Sequence, residues 1–163
     1  MKTHNFLIIL SLFFTVLSCK KTDDDAASDF KAKKDGEQWI STSSDAIVNK
    51  NNNSFLIVGR KIDSKYFQEE NLFLSFSLSD KSVVNFSSTW NFVVGGDAIS
   101  DKYEMDTISI NSIRITSLDT INKIISGIFN VKLIRDKYYP ASGEMSFTQG
   151  SFNLPYQEVW NFE

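Results

Sequence analysis

Alternating apolar and polar positions dominate the chain after residue 29. In NLFLSFSLS, Leu72, Leu74, Phe76 and Leu78 fall on one face, with Phe73, Ser75, Ser77 and Ser79 on the other. Period two predicts a strand with one buried face. Ile125, Gly127, Phe129, Val131 and Leu133 repeat the pattern in IISGIFNVKLIRD, with Gly127 marking a bend or a close backbone approach. DFKAKK and EQWIS flank Asp35-Gly36 and predict a hairpin. SFLIVGRK follows the polar turn Lys50 to Asn53, and TISINSIRITSLD precedes the turn Thr120 to Lys123. EMSFTQ and GSFNLPY predict two closing strands, and EVWNF adds an edge. Helix is scarce: Glu69-Glu70-Asn71 and Ala98 to Tyr103 hold at most single turns. The expectation is one all-β domain over residues 29–163, an antiparallel β-sandwich or a lipocalin-like barrel of about 8 to 10 strands joined mostly as hairpins and meanders.

The opening of the chain reads differently. Lys2 lies in a short positive start, and Phe6 to Leu17 form an apolar run interrupted only by Ser11 and Thr15. Such an n-region and h-region predict a secretory signal, residues 1–18. The run falls short of the roughly 20 apolar residues that a spanning helix needs.

Val16-Leu17-Ser18-Cys19 resembles a lipobox, the processing site of bacterial lipoproteins, in which the cysteine thiol takes a diacylglyceryl group. The resemblance implies cleavage before Cys19 and attachment to the lipid bilayer through its acyl chains. Two or more chains are needed for stable anchoring. Residues 19–28 are charged or small and predict a flexible tether that contributes nothing to a core. Lys20, Lys21, Asp23, Asp24 and Asp25 resemble the surface-export signal of Bacteroidota lipoproteins, which implies an outer-membrane protein exposed at the cell surface.

Composition narrows the chemistry. The formal net charge of −3 becomes one unit more negative when Lys2 leaves with the signal. No basic block is present, which argues against nucleic acid. Cys19 is the only cysteine, so no internal disulfide forms, and His4, the only histidine, lies in the signal. Histidine-dependent triads and zinc sites are therefore closed to the mature chain. Gly95-Gly96 matches no phosphate-binding loop. No catalytic residue, metal ligand or cofactor is assigned.

Three weaker constellations remain. Asp97, Asp101, Glu104 and Asp106 offer oxygen ligands but lack the spacing of a calcium loop. Glu69, Glu70 and Glu144 are candidate carboxylates for glycoside hydrolysis, with no visible pairing. Aromatic residues make up 13% of the chain. Tyr66, Phe67, Trp90, Tyr138 and Tyr139 are expected in or beside loops as ligand contacts, while Trp39, Phe129 and Phe147 are expected in the core. Asp106-Thr107-Ile108 and Asp119-Thr120-Ile121 resemble the acceptor triplet for O-glycosylation of exported Bacteroidota proteins, which implies glycans at Thr107 and Thr120.

Ala32, Gly36 and Trp39 fit an Ala-x-x-x-Gly-x-x-Trp hairpin, and Ile125, Ser126, Gly127 and Phe129 an Ile-Ser-Gly-x-Phe strand. Thr148, Gly150 and Phe152 fit Thr-x-Gly-x-Phe. Together they resemble a family of Bacteroidota outer-membrane lipoproteins with an all-β domain of unknown function. That resemblance implies the fold and no activity. Three function classes stay open: a domain that binds a ligand, such as a glycan, or a protein partner; a structural subunit of an envelope complex, pairing through an edge near Val159 to Phe162; and, with least support, a carboxylate-dependent glycan hydrolase.

Overall fold

A computed structural model describes residues 30–80, 82–140 and 142–160. The alternating pattern becomes strand throughout, because each segment hides its apolar parity and exposes the other. The elements are β1 (Phe30–Lys34), β2 (Glu37–Ile40), β3 (Ser43–Asn49), β4 (Ser54–Asp63) and β5 (Gln68–Ser79). They continue with β6 (Ser82–Val94), β7 (Ala98–Met105), β8 (Ser112–Asp119), β9 (Ile124–Arg135) and β10 (Glu144–Val159). The single turns expected at Glu69 to Asn71 and Ala98 to Tyr103 are instead parts of β5 and β7. Glu69 to Asn71 pair with β4 and β6 on either side, and the Ala98 to Tyr103 segment pairs with β6, which satisfies backbone groups as strand.

The ten strands form one sheet ordered β2-β1-β10-β3-β4-β5-β6-β7-β9-β8, and an added β10–β9 pairing bends that order into a ring. Most neighbours are antiparallel hairpins, but Tyr156 to Val159 pair in parallel with Ala46 to Asn49. The sheet is therefore mixed. It also departs from a simple up-and-down barrel, because β10 serves β1, β3 and β9 at once while β1–β2 and β8 hang from the ring as flaps.

β10 corrects a second expectation. EMSFTQ and GSFNLPY are one strand of 16 residues, which runs on to Val159, and Glu158 and Val159 at the start of EVWNF pair with Val48 and Asn49. A bulge between Phe147 and Gly150, with Gln149 at φ 52°, shifts the register. A bulge breaks period two without ending the strand. TISINSIRITSLD is shorter than expected, since β8 begins only at Ser112.

One continuous cluster fills the ring, with Phe30, Ile57, Leu72, Leu74, Ile125, Leu133 and Phe147 fully buried. Burying each such side chain contributes about 1.5 to 3 kcal/mol. The two Gly-x-Phe motifs interlock within it: Gly127 faces Phe152 and Gly150 faces Phe129 across the β9–β10 ladder. A Cβ on either glycine would overlap the opposing ring, and Phe30 covers Gly59 in the same way. Gly127 thus marks a close approach, and the motif that carried the family resemblance is a packing device.

Candidate functional site

The inward-facing residues change in character along the ring and make its two ends different. At the end reached by the β1–β2, β4–β5 and β6–β7 turns they become charged. Lys34 Nζ lies 2.5 Å from Glu70 Oε2, which also accepts the Trp39 indole N–H at 3.2 Å. Lys34 sits 4.3 Å above the Trp90 ring. Arg135 pairs with Asp101 at 2.5 Å and stands 5.4 Å from the Tyr103 ring centre. Ion pairs and indoles fill this end, and grooves of about 410 and 280 Å³ run against Glu70 there. The Trp90 indole N–H and the Arg135 Nε are buried there without a hydrogen-bond partner.

Trp90 corrects the loop assignment. It is 4% exposed in β6, its ring 5.5 Å from Tyr103 and parallel to Phe92 at 6.2 Å. In the polar run Ser87-Ser88-Thr89 that precedes it, Ser88 is buried and its hydroxyl donates to the Phe73 carbonyl at 2.9 Å. A strand absorbs a serine inside when its hydroxyl finds an acceptor.

The opposite end is open. Along β9, residues 133–135 pair with β7 and residues 124–130 with β8, so β8 faces the first half of β6. No ladder joins those two strands. The interruption leaves a cleft of about 580 Å³ whose lining includes Phe55, Leu78, Ile115 and Leu118, with Asn53, Asp80, Thr116, Ser117 and Thr120 among the polar groups. Phe55 is buried, stacked on Phe76 at 5.3 Å and edge-on to Tyr156 at 6.1 Å. The cleft thus reaches the core through an aromatic wall.

A second groove of about 180 Å³ adjoins it and shares Asn53, Phe55, Leu118 and Thr120. Glu158 lines that groove between Lys123 at 3.0 Å and Lys50 at 3.3 Å. Hydrogen bonds from Lys123 first, then Lys50, hold its carboxyl below the usual range. Burial pushes the Tyr156 hydroxyl up, favouring its neutral form. Concave, mainly apolar walls with a few polar groups at the rim are the usual anatomy of a small-ligand site.

The aromatic candidates scatter. Tyr66 and Phe67 are exposed at the β4–β5 turn, at the charged end; Tyr138 is exposed and Tyr139 half-buried in the β9–β10 connection. None lines the cleft. Phe55 and Leu118 do; Phe55 opens a continuous apolar run and Leu118 leaves the Ile113–Ile115 parity at a bulge, so no local signal marked them.

The acidic candidates are drawn into ion pairs and turns. Glu144 meets Lys132 at 2.9 Å, Glu69 lies 3.9 Å from Arg60, and Glu104 meets Lys102 at 2.7 Å. Among the described residues, no three histidine, cysteine, aspartate or glutamate side chains gather as a metal site.

Thr107 and Thr120 are both exposed in similar turns. Asp106 accepts the Ile108 N–H at 3.0 Å, and Asp119 accepts the Ile121 N–H at 2.9 Å. The Ser109 hydroxyl, then the Ile108 N–H, hold the Asp106 carboxyl low; the Asn122 backbone and side chain do so for Asp119. Cys19, Lys20, Lys21, Asp23, Asp24 and Asp25 lie outside the described residues.

Among known proteins, no family model, curated protein or solved structure matches the chain.

Proposed function

We propose that the chain is an outer-membrane lipoprotein, tethered through acylated Cys19, whose β-domain binds a ligand in the cleft between β8 and the β5–β6 hairpin. The observation that carries this reading is the interrupted ladder between β6 and β8, which leaves Phe55 as the wall of an open pocket. A sheet that served packing alone would gain by closing there. The signal and lipobox pattern support the anchor, and the Gly-x-Phe motifs support kinship with the lipoprotein family that they resemble. Thr107 and Thr120 are the proposed glycan positions, and Thr120 at the rim would place one beside the ligand.

Native mass spectrometry of protein purified from its own envelope tests the binding reading. The wild type is expected to carry a small molecule that Leu118→Trp, which fills the cleft from its wall, does not. Identical spectra for the two would reject it.

A second reading, an envelope subunit, shifts from the expected Val159 edge to β8. Among the described residues, the outer edge of β8 lacks a strand partner along eight residues, whereas the other terminal strand, β2, has only four. A long free edge is a template for strand addition.

A further inference from the structure

Tyr66 and Phe67, at the β4–β5 turn, are 57% and 73% exposed, and Ile62 and Ile99 beside them are 44% and 48% exposed. A groove of about 240 Å³ between Ile62, Phe67, Val93 and Gly96 joins this turn to that of β6–β7. The two turns are also fastened together, because the Gly95 N–H donates to the Phe67 carbonyl at 3.0 Å. Phe67 itself holds φ at 51°, a conformation that bulky residues rarely adopt. Asp63 fixes the approach by accepting the Lys65 N–H at 3.0 Å and the Tyr66 N–H at 3.3 Å. Backbone strain is thus held in place while an aromatic side chain is displayed to solvent.

The charge around these turns is mixed, with a cationic part left free. Glu69 lies beside Arg60, and Asp63 is engaged by its own turn. Asp97 adds one exposed carboxylate. Among the described residues, Lys61 has no ion-pair partner, and Lys65 rests only against the Tyr66 ring, at 4.9 Å. Aromatic and aliphatic tips beside free ammonium groups match the boundary between headgroups and acyl chains of a bilayer that contains anionic lipid.

Position permits the same partner. β4 runs from the cleft at Ser54 to these turns at Asp63, and β5 returns from Gln68 to Ser79, so the turns and the cleft lie at opposite ends of the ring. Phe30, where the described chain begins, packs on Gly59, roughly 13 Å along β4 from Asp63. The chain from Cys19 to Phe30 reaches at most about 40 Å. The anchor is therefore long enough for the turns to meet the surface that holds it.

We infer that the β4–β5 and β6–β7 turns rest on the lipid surface through Tyr66, Phe67, Ile62 and Ile99, so that the domain stands with its cleft facing away from the membrane. This builds on the anchoring at Cys19 proposed above. It is tested with the acylated protein in vesicles of phosphatidylethanolamine and phosphatidylglycerol, with or without brominated acyl chains. Phe67→Trp reports the turns and Leu118→Trp the cleft, each after subtraction of the wild-type emission. The brominated lipid is expected to quench the Phe67→Trp signal and leave that of Leu118→Trp unchanged. Equal quenching, or quenching of Leu118→Trp alone, overturns the orientation. Unchanged melting temperatures show that both variants fold. Intact mass separates the two readings: acylated Cys19 with unquenched Phe67→Trp defeats the orientation alone. A Cys19 without lipid defeats the anchor, and quenching of Phe67→Trp on addition of the same vesicles at low salt then decides the surface, with no quenching overturning it.

Discussion

The two ends of the ring are made from the same strands and solve opposite problems. At one end Lys34, Glu70, Asp101 and Arg135 pair over Trp39, Trp90 and Tyr103, and charge fills the inward face. At the other, Phe55, Leu78, Ile115 and Leu118 line a space that no ladder closes. A half-buried ion pair brings little net stability but costs heavily if half of it is removed. An apolar cleft costs little to alter at its rim. Sensitivity to substitution should therefore concentrate at the charged end, and sensitivity of binding at the open one.

The core that joins both ends sets the upper bound. Gly150→Val drives a side chain into the Phe129 ring and disturbs the bulge beside it. Urea unfolding is expected to show a loss of about 3 kcal/mol, at the upper part of the range for overpacking. Next comes a matched pair of carboxylate changes. Glu70→Gln leaves Lys34 without its charge partner in a site where the two side chains are 24% and 20% exposed. A loss of about 1 to 2 kcal/mol is expected, reduced from the fully buried case by solvent. Asp80→Asn, at the exposed rim of the cleft, is expected to change stability by less than about 0.5 kcal/mol. Equal losses for the two would erase the contrast between the ends.

Acid gives a smaller and more general effect. Glu158, Asp106, Asp119 and Asp136 all hold their protons less readily than ordinary carboxylates; for Asp136 the main cause is the Tyr138 N–H, with Lys102 contributing. Folded pKa values below the unfolded ones mean stability that is present above about pH 4 and lost as pH falls through the folded values. Since residues 30–163 contain no histidine, melting temperatures are expected to stay level from about pH 5.5 to 8 and to fall below about pH 4. A step near pH 6.5 would point to a group outside this account.

Much of this fold was legible because alternation is local. The buried parity of β5 and β9 could be read directly, as could the Asp35-Gly36 hairpin, where both residues take positive φ. Features that join distant segments were hidden. β10 looked like two strands because its bulge at Thr148-Gln149 reverses the parity on which the reading depends. Ring closure through Tyr156 to Val159 against Ala46 to Asn49 leaves no mark in either segment. Trp90 lies in a strand and not beside a loop, in a segment whose buried Ser88 is satisfied only by the carbonyl of Phe73 on the neighbouring strand. The cleft was invisible for the opposite reason. Leu78 has the spacing of a core residue and Leu118 reaches the same space through the bulge between Ile115 and Ser117, and only the missing β6–β8 ladder exposes them to a ligand.

The central claim, that the open end is the binding mouth, is tested most directly by titrating the protein with the neutral apolar dye Nile red. The wild type and Phe67→Ser are expected to bind one dye with similar affinity, and Leu118→Trp to lose that binding while melting at the wild-type temperature. Binding that survives in Leu118→Trp, or that vanishes in Phe67→Ser, would contradict the account and move the site to the turns at the charged end.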